Sequence, residues 1–372
     1  MQRRIVIAPD SFKGTATASE VAAAIARGWR SVRPEDAIEL LPMADGGEGT
    51  IDALEVSDPG SARVACTVRG PVGEPTSAEL LRLSDDSWLV ELAETSGIDK
   101  VAEVSRLTAR LATTFGLGEA IRYATVQGAK RVLVALGSSA STDGGVGALM
   151  ALGARFETAE GEPIPLGNAG LASIEHVDLS SIDLLPPEGI VALTDVTNPL
   201  LGPEGAAAVF GPQKGASPED VREFDAGLAH LAEALGTSNA EVPGAGAAGG
   251  TGYGLLAIGA EIQAGALAIA DAIDLPARIA EADLVITGEG SFDEQSLAGK
   301  VPSAVLNLAA ESDVPVVVVA GRVAEGLVGS QFGPSQAHSL TELAGSDLAA
   351  MTETERWLDE AGAAAAREFG DA

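Results

Sequence analysis

Hydrophobic and polar positions along the chain follow two periods, and the first unit they define opens at the N-terminus. RRIVIA is continuously apolar after its arginines, as a buried strand would be, and PDSFKG (9–14) breaks it. Thr17 and Glu20 then have the spacing of a capping box, and Val21, Ile25 and Trp29 share one face of the helix that follows. AIELLPM predicts a second strand, ADGGEG a glycine turn and TIDALEV a short helix. This βαβα order calls for a parallel sheet.

From about Ala62 to Ala93 the pattern changes to ARVACTVRG, SAELLRL and SWLVELA, separated by GPVGEPT and SDD, which predicts an antiparallel meander. A helical segment near 107–128 leads into the strand RVLVALG, the loop SSASTDGG and the helix VGALMALGA, and VALT (191–194) is a further strand. The middle of the chain is thus a different α/β unit. Near the C-terminus the first pattern returns: LVITG (284–288), VPVVVVAG (314–321) and SLTELA read as strands, with a helix from about Pro302, and AGAAAAREF ends the chain as a helix. These strands suit the same sheet as RRIVIA, so a discontinuous first domain, interrupted by the middle one, is expected. No repeat of 20–50 residues occurs.

Length agrees, since 372 residues exceed the roughly 250–300 at which single cores divide. Hydrophobic residues make up 46% but aromatics only 3%, so Ala, Val, Leu and Ile must fill the core. The formal charge of −31 marks a strongly acidic protein whose field repels nucleic acid and anionic membrane surfaces. Cys66 is the only cysteine, which excludes an intramolecular disulfide, and a buried apolar role is expected for it. His176, His230 and His338 lack zinc-site spacing. The apolar run before Pro9 is too short for a secretory signal, and no run approaches the length of a membrane span. A cytoplasmic location is expected.

Five loops mix glycine with carboxylate, hydroxyl or lysine at strand ends or helix starts: PDSFKG (9–14), ADGGEGT (44–50), GSSASTDGG (137–145), TDVTNP (194–199) and TGEGSFDEQSLAGK (287–300). Carboxyl ends of strands in open α/β sheets are where ligands bind. Of only five lysines, Lys13, Lys214 and Lys300 each adjoin glycine, where an ammonium and backbone N–H groups can together hold phosphate; Lys214 makes the weakest case. Asp10, Asp45, Asp195, Glu289 and Asp293 could supply a magnesium site and a base. Asp143, in TDGG, fits a local capping role better.

GAGAAGGTG (244–252) contains GxGxxG ahead of a helical pattern, but no strand precedes it and no strand-ending acid follows about 20 residues on. Phosphate cradle and tight helix-packing turn both remain open for it. Lys300 follows Gly299, yet position 294 is glutamate, so there is no P-loop, and protein-kinase and GxSxG signatures are missing.

Taken in order, IAPDSFKGT, PMADGGEGT, GSSASTDGG, LTDVTNPLLGPEGAA, FGPQKGA, GAGAAGGTGYGL and ITGEGSFDEQSLAGK resemble the bacterial glycerate kinase family, of the glycerate 2-kinase type, across nearly the whole chain. The resemblance implies two interleaved α/β domains, one Rossmann-like with a mostly parallel sheet and one inserted and mixed, with the site in the cleft between them. The corresponding boundaries are 1–62 with 283–372, and 63–282.

It also implies transfer of the ATP γ-phosphoryl to D-glycerate with Mg2+, giving most often 2-phosphoglycerate, with 3-phosphoglycerate as the alternative. On the matching motifs, Lys13 and Lys300 are expected at the anionic groups, Glu289 or Asp293 at the magnesium, and Asp195 at the glycerate hydroxyl. Ser138 and Ser139 could take phosphate or the glycerate carboxylate, with Gly249, Gly250, Thr251 and Gly252 doing the other job. Gly288 is expected beside the nucleotide, and Asp10, Ser11 and Asp45 could instead bind the glycerate hydroxyls. The partners are small molecules, glycerate and ATP, and a homodimer is compatible with the sequence. Rival classes are a nucleotide-cofactor oxidoreductase resting on GxGxxG and a non-catalytic sugar-acid sensor.

Overall fold

A computed structural model of the chain describes residues 2–297, 300–329 and 333–369. Its strands are β1 (Arg4–Ile7), β2 (Ala37–Leu40), β3 (Ala62–Arg69), β4 (Pro75–Arg82), β5 (Ser87–Glu91), β6 (Arg131–Ala135), β7 (Arg155–Glu157), β8 (His176–Asp178), β9 (Ile190–Leu193), β10 (Glu261–Gln263), β11 (Leu284–Phe292), β12 (Val316–Val323) and β13 (Gln336–Ser339). The chain divides into two compact units, one of Met1–Asp45, Asp52–Pro59 and Ala264–Ala372, the other of Gly46–Ile51 and Gly60–Gln263.

The first unit holds a five-stranded sheet in the order β13-β12-β11-β1-β2, with all neighbours parallel. Its inner strands β1, β11 and β12 open as apolar runs because both faces are covered, whereas the edge strands β2 and β13 are mixed and only partly buried. Ile5, Ile7, Leu284, Ile286, Val317 and Val319 pack with the helices Ala18–Val32 and Thr354–Phe369. The alternate residues Val6, Val285 and Val318 are equally buried and point to the face that carries the Val301–Glu311 helix. Thr17 caps the first helix in the box its spacing predicts: its side chain accepts from Glu20 N, and the Glu20 carboxylate accepts from Thr17 N at 2.8 Å. Ala18–Val32 and Thr354–Phe369 approach backbone to backbone. A Cβ on Gly28 would fall 1.8 Å from the Asp359 carbonyl oxygen, and one on Gly362 would fall 2.2 Å from that of Ile25.

Numbered within this unit, the strand order is 2-1-3-4-5. That doubly wound arrangement has its topological switch point between the first and third strands, here β1 and β11. One segment departs from expectation. In SLTELA only Ser339 ends a strand; Leu340–Ala344 is helical, and the Ser339 side chain caps it by accepting from Glu342 N. A hydrogen-bonding residue at a helix start terminates the strand period there.

The second unit holds a six-stranded sheet in the order β10-β9-β6-β5-β4-β3. The β3-β4-β5 portion is the antiparallel meander its turn-punctuated pattern predicts, and β5, β6, β9 and β10 run parallel. One core joins the sheet to the Phe115–Val126 helix through Val90, Leu117, Ile121 and Val134. A second, around Leu149, Phe156, Phe224 and Tyr253, gathers the helices Val146–Leu152 and Pro218–Leu235 with the β7-β8 ribbon. Cys66, on β3, is only half-buried, because β3 is the sheet's edge strand, and partial burial pushes its thiol up. No helix among the described residues is long and apolar enough to cross a membrane.

Candidate active site

At the switch point of the first unit, the chain leaving β1 crosses to β11. Ala8 N donates to Ile286 O at 2.7 Å and Asp10 N to Gly288 O at 2.8 Å, so Asp10 stands beside the end of β11. Its Oδ1 accepts from Ser11 N at 2.6 Å. Burial, with the carboxylates of Asp45 and Glu289 nearby, pushes the Asp10 carboxyl up to about 7. Beyond it, Phe12 is buried and Thr15 N and Ala16 N both donate to its carbonyl, with Gly14 in the left-handed region at φ 82°. That tight turn exposes Lys13, whose backbone nitrogen lies 3.9 Å from where a Cβ of Gly290 would sit.

Glu289 is the most buried acid of this group, 7% exposed, and its Oε1 has no hydrogen-bond partner among the described residues. Its Oε2 faces the Lys300 ammonium at 3.8 Å. Burial pushes its carboxyl up; the Ser296 hydroxyl and Lys300 oppose that rise, while Asp293 adds to it. Lys300 is placed by the start of the Val301–Glu311 helix, whose first residue it precedes, and Asp293 by the turn in which its N–H donates to Ser296 Oγ at 2.9 Å. Gly288 has a packing reason of its own: a Cβ there would come within 2.0 Å of Val319 O on β12. The structure therefore gathers Asp10, Ser11, Lys13, Asp45, Glu289, Asp293 and Lys300 around the carboxyl ends of β1 and β11 in the first unit.

In the second unit the carboxyl ends of β6 and β9 coincide, because the strands are parallel and Leu136 N donates to Leu193 O at 3.0 Å. Gly137–Ser139 and Thr194–Asp195 leave the sheet side by side. Asp195 is partly buried, next to Thr194, whose hydroxyl accepts from Val196 N at 3.1 Å. Ser138 is held at φ 52°, unusual for a residue with a side chain, and its hydroxyl donates to Glu48 at 3.0 Å. It lines a surface pocket with Glu48, Glu94, Asp99 and Lys100. Glu48 was not singled out by sequence, although it lies in the same ADGGEGT loop as Asp45. Ser139 is buried and shares a 3.0 Å hydrogen bond with the Ser141 hydroxyl.

Asp143 is structural. Fully buried, it accepts from Thr113 Oγ1, Thr114 N and Oγ1, Gly145 N and Gly147 N at 2.8–3.3 Å, fixing the entry to the Val146–Leu152 helix. The Gly244–Gly252 segment turns inward too. Ala248, Gly249 and Gly250 are consecutive left-handed residues, and Gly249, Gly250, Thr251 and Gly252 are all buried. A Cβ on Gly249 would meet Ser141 O at 2.0 Å, and one on Gly252 would meet Gly244 O at 2.2 Å. Close backbone packing, against the 137–145 loop at Gly249 and within the segment at Gly252, thus accounts for these two glycines. Lys214, the weakest of the three lysines by sequence, is only 4% exposed.

A chain that combines a parallel doubly wound sheet, with lysine and carboxylate at its switch point, and a second α/β unit with hydroxyl-bearing loops belongs to a phosphotransferase with an alcohol acceptor. The chain is a member of the glycerate kinase family, whose model matches residues 5–370. It is 41% identical to the glycerate 2-kinase of Escherichia coli (strain K12), over 87% of this chain and 86% of that one. To the glycerate kinase of Bacillus subtilis (strain 168) it is 40% identical, over 86% and 85%. A solved structure from Salmonella typhimurium LT2, provisionally described as glycerate kinase 2, matches with a TM-score of 0.84 at 35% identity, covering 100% of this chain and 99% of that one.

Proposed function

We propose that the protein transfers the γ-phosphoryl group of ATP to the 2-hydroxyl of D-glycerate, giving ADP and 2-phosphoglycerate, in the cytoplasm. The observation that carries this reading is Glu289: a buried carboxylate with an unpartnered oxygen, facing Lys300 at the switch point. A hard oxygen donor of this kind fits magnesium, which takes one or two carboxylates and leaves its other positions to water and phosphate. Glu289 and Asp293 would hold it. When bound, magnesium neutralises charge that develops on the phosphate oxygens.

Lys300 and Lys13 contact the oxygens of the transferring group, where a fixed cation counts most in the transition state. Asp195 orients the glycerate hydroxyl and takes up its proton. Ser139 and Ser138 receive the glycerate carboxylate, and Asp10, Ser11 and Asp45 line the acceptor side. With its carboxyl pushed up to about 7, Asp10 can carry a proton and donate a hydrogen bond to a substrate oxygen. Inward packing of Gly249, Gly250 and Gly252 argues against the oxidoreductase alternative, whose cofactor cradle would need their backbone exposed.

The test is incubation with ATP, magnesium and D-glycerate, with the product identified by phosphorus NMR. We expect 2-phosphoglycerate and stoichiometric ADP, and a loss in kcat of about a hundredfold or more in Asp195→Asn. A 3-phosphoglycerate product would overturn the regiochemistry; no product from glycerate would end the reading. Full turnover in Asp195→Asn would remove that residue from the proton transfer.

A further inference from the structure

Lys214 is the glycine-flanked lysine that the mechanism above leaves unused, and it is the one the fold buries. It closes the Pro212–Lys214 turn, which Gly215 ends in the left-handed region at φ 96°. Its ammonium donates to the Ser141 carbonyl, its single hydrogen bond among the described residues. Ser141 is fully buried; its N–H donates to Ser139 Oγ at 3.2 Å, and the two hydroxyls share the 3.0 Å bond already noted. Ser141 therefore ties the Lys214 ammonium, through its carbonyl, to Ser139, through its N–H and hydroxyl.

The charges around this ammonium do little to offset its burial. Asp143, in the same loop as Ser141, favours the charged form, but its oxygens are taken up by Thr113, Thr114, Gly145 and Gly147. The Arg106–Leu111 helix packed against the turn brings Arg106 and Arg110, both paired with Asp220, and Arg110 also pairs with Glu223. The Ala206–Phe210 helix on its other side brings no titratable group. Holding a charged group in such a site carries a desolvation cost that an aliphatic side chain of the same volume avoids. Stability does not account for this lysine.

We infer that Lys214 is a positioning residue, whose buried ammonium grips the Ser141 carbonyl and so sets Ser139 and Ser138 in the geometry that receives glycerate. The inference rests on the reading that the 137–145 loop is the glycerate contact. It has a pH signature. Burial pushes the Lys214 ammonium down to about 8, and a neutral amine grips a carbonyl less strongly than an ammonium. Affinity for glycerate is full below that pH and falls as pH rises through it. The fold responds with the opposite sign: between about 8 and the ordinary lysine value of about 10.4, the unfolded chain binds more protons, so stability rises with pH.

Lys214→Met tests this with KM for D-glycerate and for ATP, the pH profile of kcat/KM, and Tm. We expect a Tm at or above that of the parent, a rise in glycerate KM of about tenfold to a hundredfold with ATP KM nearly unchanged, and loss of the alkaline limb near pH 8. Parent-like glycerate KM with the limb intact would overturn the inference. Should the methionine variant fail to fold, Lys214→Arg keeps the charge past pH 10 and must move the limb upward; a limb unmoved in that variant overturns it equally. Ser139→Ala separates the two layers. An unchanged glycerate KM there removes the loop reading, whereas a raised KM there with a parent-like KM in Lys214→Met removes only the lysine's role.

Discussion

Asp10 shows how much one side chain's surroundings decide. Its backbone N–H is tied to β11, its carboxyl accepts from Ser11 N, and two further carboxylates lie near it. A carboxyl raised from the usual range to about 7 binds its proton more tightly in the folded chain than in the unfolded one. Its contribution to stability is therefore full below the unfolded value, about 3.9, and is lost as pH rises through about 7. Asp10→Asn should accordingly raise Tm at pH 8 and leave it nearly unchanged at pH 4, as calorimetry at the two pH values will show. Equal shifts at both would mean that Asp10 titrates normally. At this scale the sequence marked Asp10, Lys13, Glu289 and Lys300 through glycine and loop context, a local signal. The burial of Lys214 was not legible, because PQKGA has the composition of an exposed turn and only tertiary packing, by the helices Arg106–Leu111 and Ala206–Phe210 and the 137–145 loop, hides it.

Among the elements, the two helices on one face of the parallel sheet depend on absent side chains. Gly28 and Gly362 each face a carbonyl of the other helix at a distance no Cβ can share. Gly362→Val would have to push Thr354–Phe369 away from Ile25, opening contacts around Trp29, Leu358 and Ala365. Overpacking of this kind costs about 1–3 kcal/mol. A clear drop in the denaturant midpoint with an unchanged slope is expected for that variant and for Gly28→Val. A midpoint within error of the parent in both would show that the helices part freely. The elements themselves were mostly readable, since strand and helix periods are written in consecutive residues. SLTELA misled because its apolar positions fit a strand while Ser339 begins a helix with them, a capping event that period alone does not reveal. GAGAAGGTG is the same lesson at a turn: three left-handed residues in a row serve a backbone approach to Ser141, which no local pattern announces.

Across the whole molecule, a formal charge of −31 sets long-range repulsion against many surface ion pairs. The pairs, such as Arg63 with Glu79 or Arg131 with Glu188, are largely exposed and worth about 0–1 kcal/mol each. Added salt screens both, but at about 1 M the Debye length of about 3 Å removes repulsion between distant carboxylates while contact pairs persist in part. Tm should therefore rise with sodium chloride between 0.05 and about 1 M. A falling Tm would show that the pairs outweigh the net charge. By itself the sequence determined the α/β class, the parallel character of the first sheet, the meander of the second and the loops that carry lysine and carboxylate, because each is encoded in hydrophobic period and turn chemistry over a few residues. Only the tertiary structure decided that Asp10 meets β11, that the 244–252 glycines pack inward and that Lys214 is buried under Ser141. Strand order and backbone approach join residues far apart in the chain, and their energies depend on neighbours that no local pattern names.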